Sequence, residues 1–190
     1  MKKLHIVAGP NGAGKTTLSY TVLPEILDCK EFVNADEIAR GISPFNPEKV
    51  AIKSGKLMLL RVKELLNMGE SFAVETTLSS RAYTQLITLA IRHNYEVNLL
   101  FIALESVDLA IKRVDTRVQE GGHGIPIDTI KRRYFRGLIN FFEIYSLIVS
   151  RWLLVDNSEK RIQLIGRGFN DQIEVIDKKK WINLKNKSHG

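Results

Sequence analysis

Residues Gly9-Pro10-Asn11-Gly12-Ala13-Gly14-Lys15-Thr16 fit the pattern G-x-x-x-x-G-K-[ST] in full. No other stretch narrows the fold as much. A strand must enter such a loop and a helix must leave it, because the bound phosphate sits on the helix N-terminus. Leu4–Ala8 (LHIVA) is a short apolar run that reads as a buried parallel strand, and Gly14–Leu23 reads as the helix. The glycines allow a tight turn in which backbone N–H groups point at phosphate oxygens. Lys15 then reaches the β and γ phosphates, and the Thr16 hydroxyl ligates Mg²⁺. The expected ATP site is Gly9, Pro10, Asn11, Gly12, Ala13, Gly14, Lys15, Thr16 and Thr17.

The remaining pattern repeats the strand–helix alternation. Strands are expected at Glu31–Asn34, Ser71–Val74, Glu96–Leu104 and Arg151–Val155. Helices are expected from Asn46-Pro47-Glu48 to Met68, from Ser80 to His93, from Ser106, and from Pro126 to Ser150. In the first of these Asn46 would be the N-cap and Gly69 would end the helix. The alternation implies an α/β fold of the P-loop NTPase and kinase type: a central five-stranded, mostly parallel sheet flanked by helices. Its ligand edge is at the carboxyl ends of the strands. One domain, 1–190, is expected. Residues 157–190 read as a short C-terminal β extension, with two strands, a turn near Phe169-Asn170-Asp171 and a solvated basic tail.

Composition excludes several classes. With 44% hydrophobic and 26% charged residues the 190-residue chain is neither disordered nor fibrous. Cys29 is its one cysteine, so no intrachain disulfide forms, and a reducing, cytoplasmic setting is expected. The longest stretch free of Asp, Glu, Lys and Arg is Leu4–Gly14, too short for a membrane span, and the N-terminus lacks the features of a signal peptide. The net charge of +7 is concentrated in two places, Lys112–Arg136 and the lysines from Lys178 onward. An internal arginine-rich block suggests an anionic ligand.

Gly121, Gly122 and Gly124 lie within that block. Glycines beside arginines suit a mobile helical lid, about 112–136, that closes over transferring phosphate. Arg113 and Arg117 share a helix face, and Arg132, Arg133 and Arg136 lie on the next helix. Two carboxylates fall at the ligand edge. Asp36, after the second strand, is placed to orient an acceptor hydroxyl and take its proton, or else to cap a helix, a task Asn34 can also perform. Glu75, after the third strand, is placed to hold acceptor hydroxyls or a water of the Mg²⁺ shell, while Thr76 and Thr77 beside it are placed to cap the next turn. The chain has no N-K-x-D motif of a GTPase and is small for a motor ATPase, which leaves a small-molecule kinase.

The segments AGPNGAGKTT, FVNADEIA, FAVETTL and IKRVDTRVQEGGHGIP, with RRYFR after them, resemble the zeta toxin family. The resemblance runs from about Leu4 to Asn157. Its better-known members are P-loop kinases that phosphorylate UDP-N-acetylglucosamine on a sugar hydroxyl. The resemblance implies that Lys15 and Thr16 bind phosphates and Mg²⁺, that Asp36 is the catalytic base, that Glu75 and Thr76 lie in the acceptor pocket, and that Arg113 is the first lid arginine. The second lid arginine of the family falls on His123, a weaker cation at neutral pH, with Arg117 and Arg132 as its candidate substitutes.

The expected function is transfer of the γ-phosphoryl group of ATP to a hydroxyl of a small acceptor such as a nucleotide-sugar. Two other readings stand beside it. One is a toxin–antitoxin component acting through a separate antitoxin protein, since no fused antitoxin segment precedes Leu4. The other is a nucleic-acid end kinase, disfavoured because no continuous basic track with interleaved aromatics is present. No membrane partner is expected.

Overall fold

The central strand β1 (Lys3–Ala8) pairs in parallel with β3 (Phe72–Thr76) on one side and β4 (Glu96–Ala103) on the other. Around this trio the computed structural model builds one seven-stranded sheet, β2-β3-β1-β4-β5-β6-β7. It describes all residues except Ile26, His123, Asn170, Asp171, His189 and Gly190. β2 (Glu31–Val33) and β5 (Arg151–Asp156) complete the five parallel strands. β6 (Gln163–Phe169) and β7 (Gln172–Val175) add antiparallel to the β5 edge, so the C-terminal strands extend the main sheet. The expected turn at Asn170-Asp171 lies outside the described residues.

The strands explain their own burial. Leu4, Ile6, Phe72, Val74, Val97, Leu99, Phe101 and Leu154 are all at most 2% exposed. Removing a side chain of this size from water is worth roughly 1.5–3 kcal/mol. The crossovers are α1 (Lys15–Glu25), α2 (Ala35–Ile42) with α3 (Ala51–Met68), α4 (Tyr83–Arg92), and α5 (Val107–Gln119) with α6 (Ile127–Asn140). α6 runs on through a π-helical turn at 141–145 into the short α7 (Ser146–Ile148), matching the long helix expected there.

Two local expectations are corrected. Asn46 makes no side-chain cap, and Pro47–Val50 is a 3₁₀ turn that leads into α3 at Ala51. The lysine-rich end is not a solvated tail but a helix, α8 (Lys178–Lys187), capped by Asp177, whose side chain accepts from the Lys180 amide. Trp181 and Leu184, three residues apart, give it an apolar stripe. Leu184 is buried, and Trp181 stacks on Trp152 at 5.8 Å between ring centroids. Among the described residues no helix is long and apolar enough to cross a membrane.

Candidate active site

The strand order decides what meets the loop. Because β3 lies next to β1, Val7 pairs with Glu75 and Ala8 with Thr76. The loop after β1 therefore opens beside the Glu75 carboxylate. The Gly9 amide donates to the Thr76 carbonyl at 3.3 Å, and the Ala13 amide donates back to Pro10 at 3.2 Å. Gly12 and Gly14 have φ of +77° and +81°. A Cβ on Gly12 would lie 2.8 Å from the Ala110 carbonyl oxygen, so α5 packs directly on the loop.

Lys15 folds over this cradle. Its Nζ donates to the Pro10 carbonyl at 3.0 Å and lies 3.9 Å from Glu75 Oε1. Burial pushes the Lys15 ammonium below its ordinary range, and the carboxylates of Glu75 and Asp36 oppose that shift. Arg117 and Arg133 are close enough to disfavour its charge further. Burial also pushes the Glu75 carboxyl up, against the pull of Lys15 and Thr16.

Thr16 Oγ1 donates to Glu75, at 2.8 Å from Oε2 and 3.1 Å from Oε1. Asn34 Nδ2 donates to the same Oε2 at 3.0 Å. The donor set around this point is a hydroxyl, a carboxylate and an amide. The Thr16 hydroxyl and the Glu75 carboxylate are hard oxygen ligands that fit Mg²⁺, while the Asn34 amide, whose oxygen caps α2, steadies the carboxylate. Thr17, one residue on, is exposed at the start of α1.

The competition for the α2 cap is resolved. Asn34 Oδ1 accepts from the Asp36 amide at 2.8 Å, so Asn34 is the cap. Asp36 is exposed in the first turn of α2, near enough to influence Lys15 and Glu75. Thr76 serves the turn after β3: its hydroxyl accepts from the Leu78 amide at 3.0 Å, and Leu78 is held at φ +52°.

The arginines divide by helix face. Arg113 Nη1 and Nη2 donate to the carbonyls of Asn157 at 2.7 Å and Ser158 at 3.0 Å, which places it on the loop after β5. Arg117 lines a cavity of about 500 Å³ with Arg40, Pro44, Pro47, Glu120, Gly121 and Gly122. α5 ends there with Gly121 at φ +89°; the Gly122 amide donates to the Arg117 carbonyl at 2.8 Å and the Gly121 amide to Val118 at 3.0 Å. Arg132 is exposed, whereas its neighbour Arg133 reaches Asn11 Oδ1 at 3.4 Å. Helical spacing carries that signal. Ile130, Tyr134, Gly137 and Leu138 are the buried face of α6, and Arg133 flanks it. His123 lies outside the described residues.

Sequence reasoning also missed Asn157. Its Nδ2 donates to the Ala13 carbonyl at 2.9 Å, across 144 positions of chain. No short motif marks it. Together these groups form a cationic cluster of Lys15, Arg117 and Arg133 beside a hydroxyl and two carboxylates, an arrangement suited to holding and transferring phosphate.

The family model described as "Zeta toxin" matches residues 1–165. A protein from Haemophilus influenzae, described only as uncharacterized, is 30% identical over 126 residues, 66% of this chain and 88% of its own. The crystal structure of the AvrRxo1-ORF1:AvrRxo1-ORF2 complex with sulphate superimposes with a TM-score of 0.81 at 16% identity, over 97% of this chain. This chain spans 64% of the length of that one. A structure of the PezAT toxin–antitoxin system of Streptococcus pneumoniae gives a TM-score of 0.61 at 18% identity, covering 82% of this chain and 69% of its own.

Proposed function

The chain belongs to the zeta toxin family, and from that premise we propose that it is an ATP-dependent phosphotransferase that moves the γ-phosphoryl group of ATP to a hydroxyl of a small acceptor, with Asp36 as the base. The observation that carries this reading is the release of Asp36 from helix capping. Asn34 supplies the cap, so the Asp36 carboxylate, exposed at the carboxyl edge of the sheet, is available to an acceptor hydroxyl.

In this mechanism the loop 9–14 and Lys15 hold the β and γ phosphates. Lys15 exchanges its bond to the Pro10 carbonyl for phosphate oxygens. Bound Mg²⁺ would supply positive charge to offset that of the phosphates. Thr16 and Glu75 are the residues that would hold it, Thr16 directly and Glu75 through its oxygens or a water. Asp36 orients the acceptor hydroxyl and takes its proton as the phosphoryl group moves. Arg117 and Arg133 stabilise charge on the transferring group, and the 500 Å³ cavity bounded by Arg40 and Arg117 takes the acceptor. A nucleotide-sugar is the favoured acceptor class, in keeping with the family. The glycines after α5 let the Arg117 end of that helix close.

A separate antitoxin protein is the proposed partner, in keeping with the PezAT toxin–antitoxin system named above. The nucleic-acid reading is weakened by α8, whose Lys180 and Lys187 are engaged within the chain, by Asp156 and by the Glu105 carbonyl.

The test is incubation with ATP, Mg²⁺ and a panel of nucleotide-sugars, sugars and nucleosides, read by mass spectrometry. A gain of one phosphoryl group on a panel member, absent with Lys15→Ala, supports the reading. ATP consumption with no acceptor modified would overturn it.

A further inference from the structure

α8 begins at Lys178, beyond the residues 1–165 that the family model matches. Its lysines nonetheless connect to the P-loop through hydrogen bonds joined by the backbone of residues 156–158. Lys180 Nζ donates to Asp156 Oδ2 at 2.5 Å and to Gln163 Oε1 at 2.6 Å. Asp156 is the last residue of β5 and only 4% exposed. Its other oxygen, Oδ1, accepts from the Ser158 amide at 2.9 Å and from the Ser158 hydroxyl. Ser158 Oγ in turn accepts from the Glu105 amide at 2.7 Å, and Lys187 Nζ donates to the Glu105 carbonyl.

The loop held in this way is the one that faces the nucleotide site. The carbonyls of Asn157 and Ser158 receive the Arg113 guanidinium, and the Asn157 amide holds the Ala13 carbonyl inside the P-loop. That amide nitrogen lies 2.9 Å from where a Cβ on Gly14 would stand. Both the P-loop and Arg113 are thus referenced to residues 156–158, and these are referenced to α8.

A buried carboxylate needs its cation. Without Lys180, the Asp156 carboxyl is left in a poorly solvated position with Ser158 as its remaining described partner. The cheapest relief is to draw in water or swing the carboxylate outward, and either moves the Ser158 end of the loop. Residues that orient the groups contacting a ligand act at this level: they touch no substrate, yet they set the geometry that binds it.

We propose that Lys180 is a positioning residue for nucleotide binding, fixing the 156–158 loop through Asp156 so that Asn157 and Arg113 hold the P-loop in its phosphate-accepting shape. The C-terminal segment is then a working part of the nucleotide site rather than an appendage. The proposal rests on the reading that the P-loop binds ATP, and the experiment separates the two.

Binding of a fluorescent ATP analogue with Mg²⁺ is measured for the full chain, wild type first, at a temperature well below every variant's melting point. Absence of binding by wild type would overturn the ATP reading itself, and the proposal with it. Given wild-type binding, Lys180→Met is expected to raise the dissociation constant about tenfold, the scale of losing an orienting contact. Lys180→Arg, which retains a cation of similar reach, should restore most of the affinity. Ser158→Ala cuts the same series beyond the ion pair and should weaken binding in the same direction. Leu184→Ala, which loosens α8 packing away from the bonds, should lower the melting point with affinity unchanged. Wild-type affinity in both Lys180→Met and Ser158→Ala would overturn the proposal. An equal loss in Leu184→Ala at a matched melting point would also overturn it, by showing that helix stability alone is responsible.

Discussion

The Thr16 hydroxyl donates to Glu75, 2.8 Å from Oε2 and 3.1 Å from Oε1, although the two residues are 59 positions apart in the chain. The pairing of Val7 with Glu75 brings them together, so the P-loop threonine proposed to bind the metal is in contact with the carboxylate of β3. Glu75 thereby occupies the place from which Mg²⁺ or a water of its shell would be held.

Glu75→Gln should raise the Mg²⁺ concentration for half-maximal activity on the order of tenfold, because it replaces an anionic group beside the cation by a neutral one. The wild-type requirement should itself depend on pH. Burial raises the Glu75 pKa, so as pH falls the carboxylate takes up its proton above the ordinary carboxylate range, and Mg²⁺ must compete with it. Half-saturating Mg²⁺, measured stepwise from pH 8 to pH 5, should therefore climb in wild type and stay flatter in Glu75→Gln. Parallel profiles in the two proteins would remove Glu75 from the metal site.

Lys15→Ala should abolish phosphoryl transfer with the fold retained. Lys15 is only 7% exposed, but its partners are the Pro10 carbonyl and Glu75, both part of the site. Loss of the cation also leaves Glu75 without its nearest positive charge. Far-ultraviolet circular dichroism should match wild type while the rate falls to background. Activity within a few-fold of wild type would contradict the P-loop role.

Arg133→Ala and Arg132→Ala should separate cleanly. Arg133 reaches Asn11 and disfavours the charge on Lys15, which puts it beside the proposed phosphate site; Arg132 is exposed. Removing Arg133 is expected to lower the maximal rate by about 10² or more, as for a group stabilising transferred charge, whereas Arg132→Ala should stay near wild type. Steady-state rates at saturating ATP decide it, and equal losses would contradict the assignment by helix face.

Much of this was legible in the sequence because the signals were local. The P-loop pattern, the Gly69 helix stop and the helix start at Ser106 each depend on a few adjacent residues, and the five parallel strands follow from their apolar runs. What was not legible depends on contacts between distant segments. A charge count reads Lys178–Lys187 as a solvated tail, but Trp181 and Leu184 dock it, and Lys180 meets an aspartate 24 positions earlier. The choice between Asp36 and Asn34 as cap could not be made from spacing alone, since both side chains are capable. Asn157 has no motif at all; only the return of β5 beside β4 brings it to Ala13.

The central claim is that Asp36 takes the acceptor's proton and has no part in holding the helix or the nucleotide. The direct measurement is Asp36→Asn, assayed for transfer to the acceptor found in the mass-spectrometric panel and, in parallel, for ATP affinity and melting temperature. Because Asn34 provides the cap, the variant should melt near wild type. ATP affinity should hold, and turnover should fall on the order of 10²-fold or more. Turnover equal to wild type, with binding and stability also unchanged, would contradict the account.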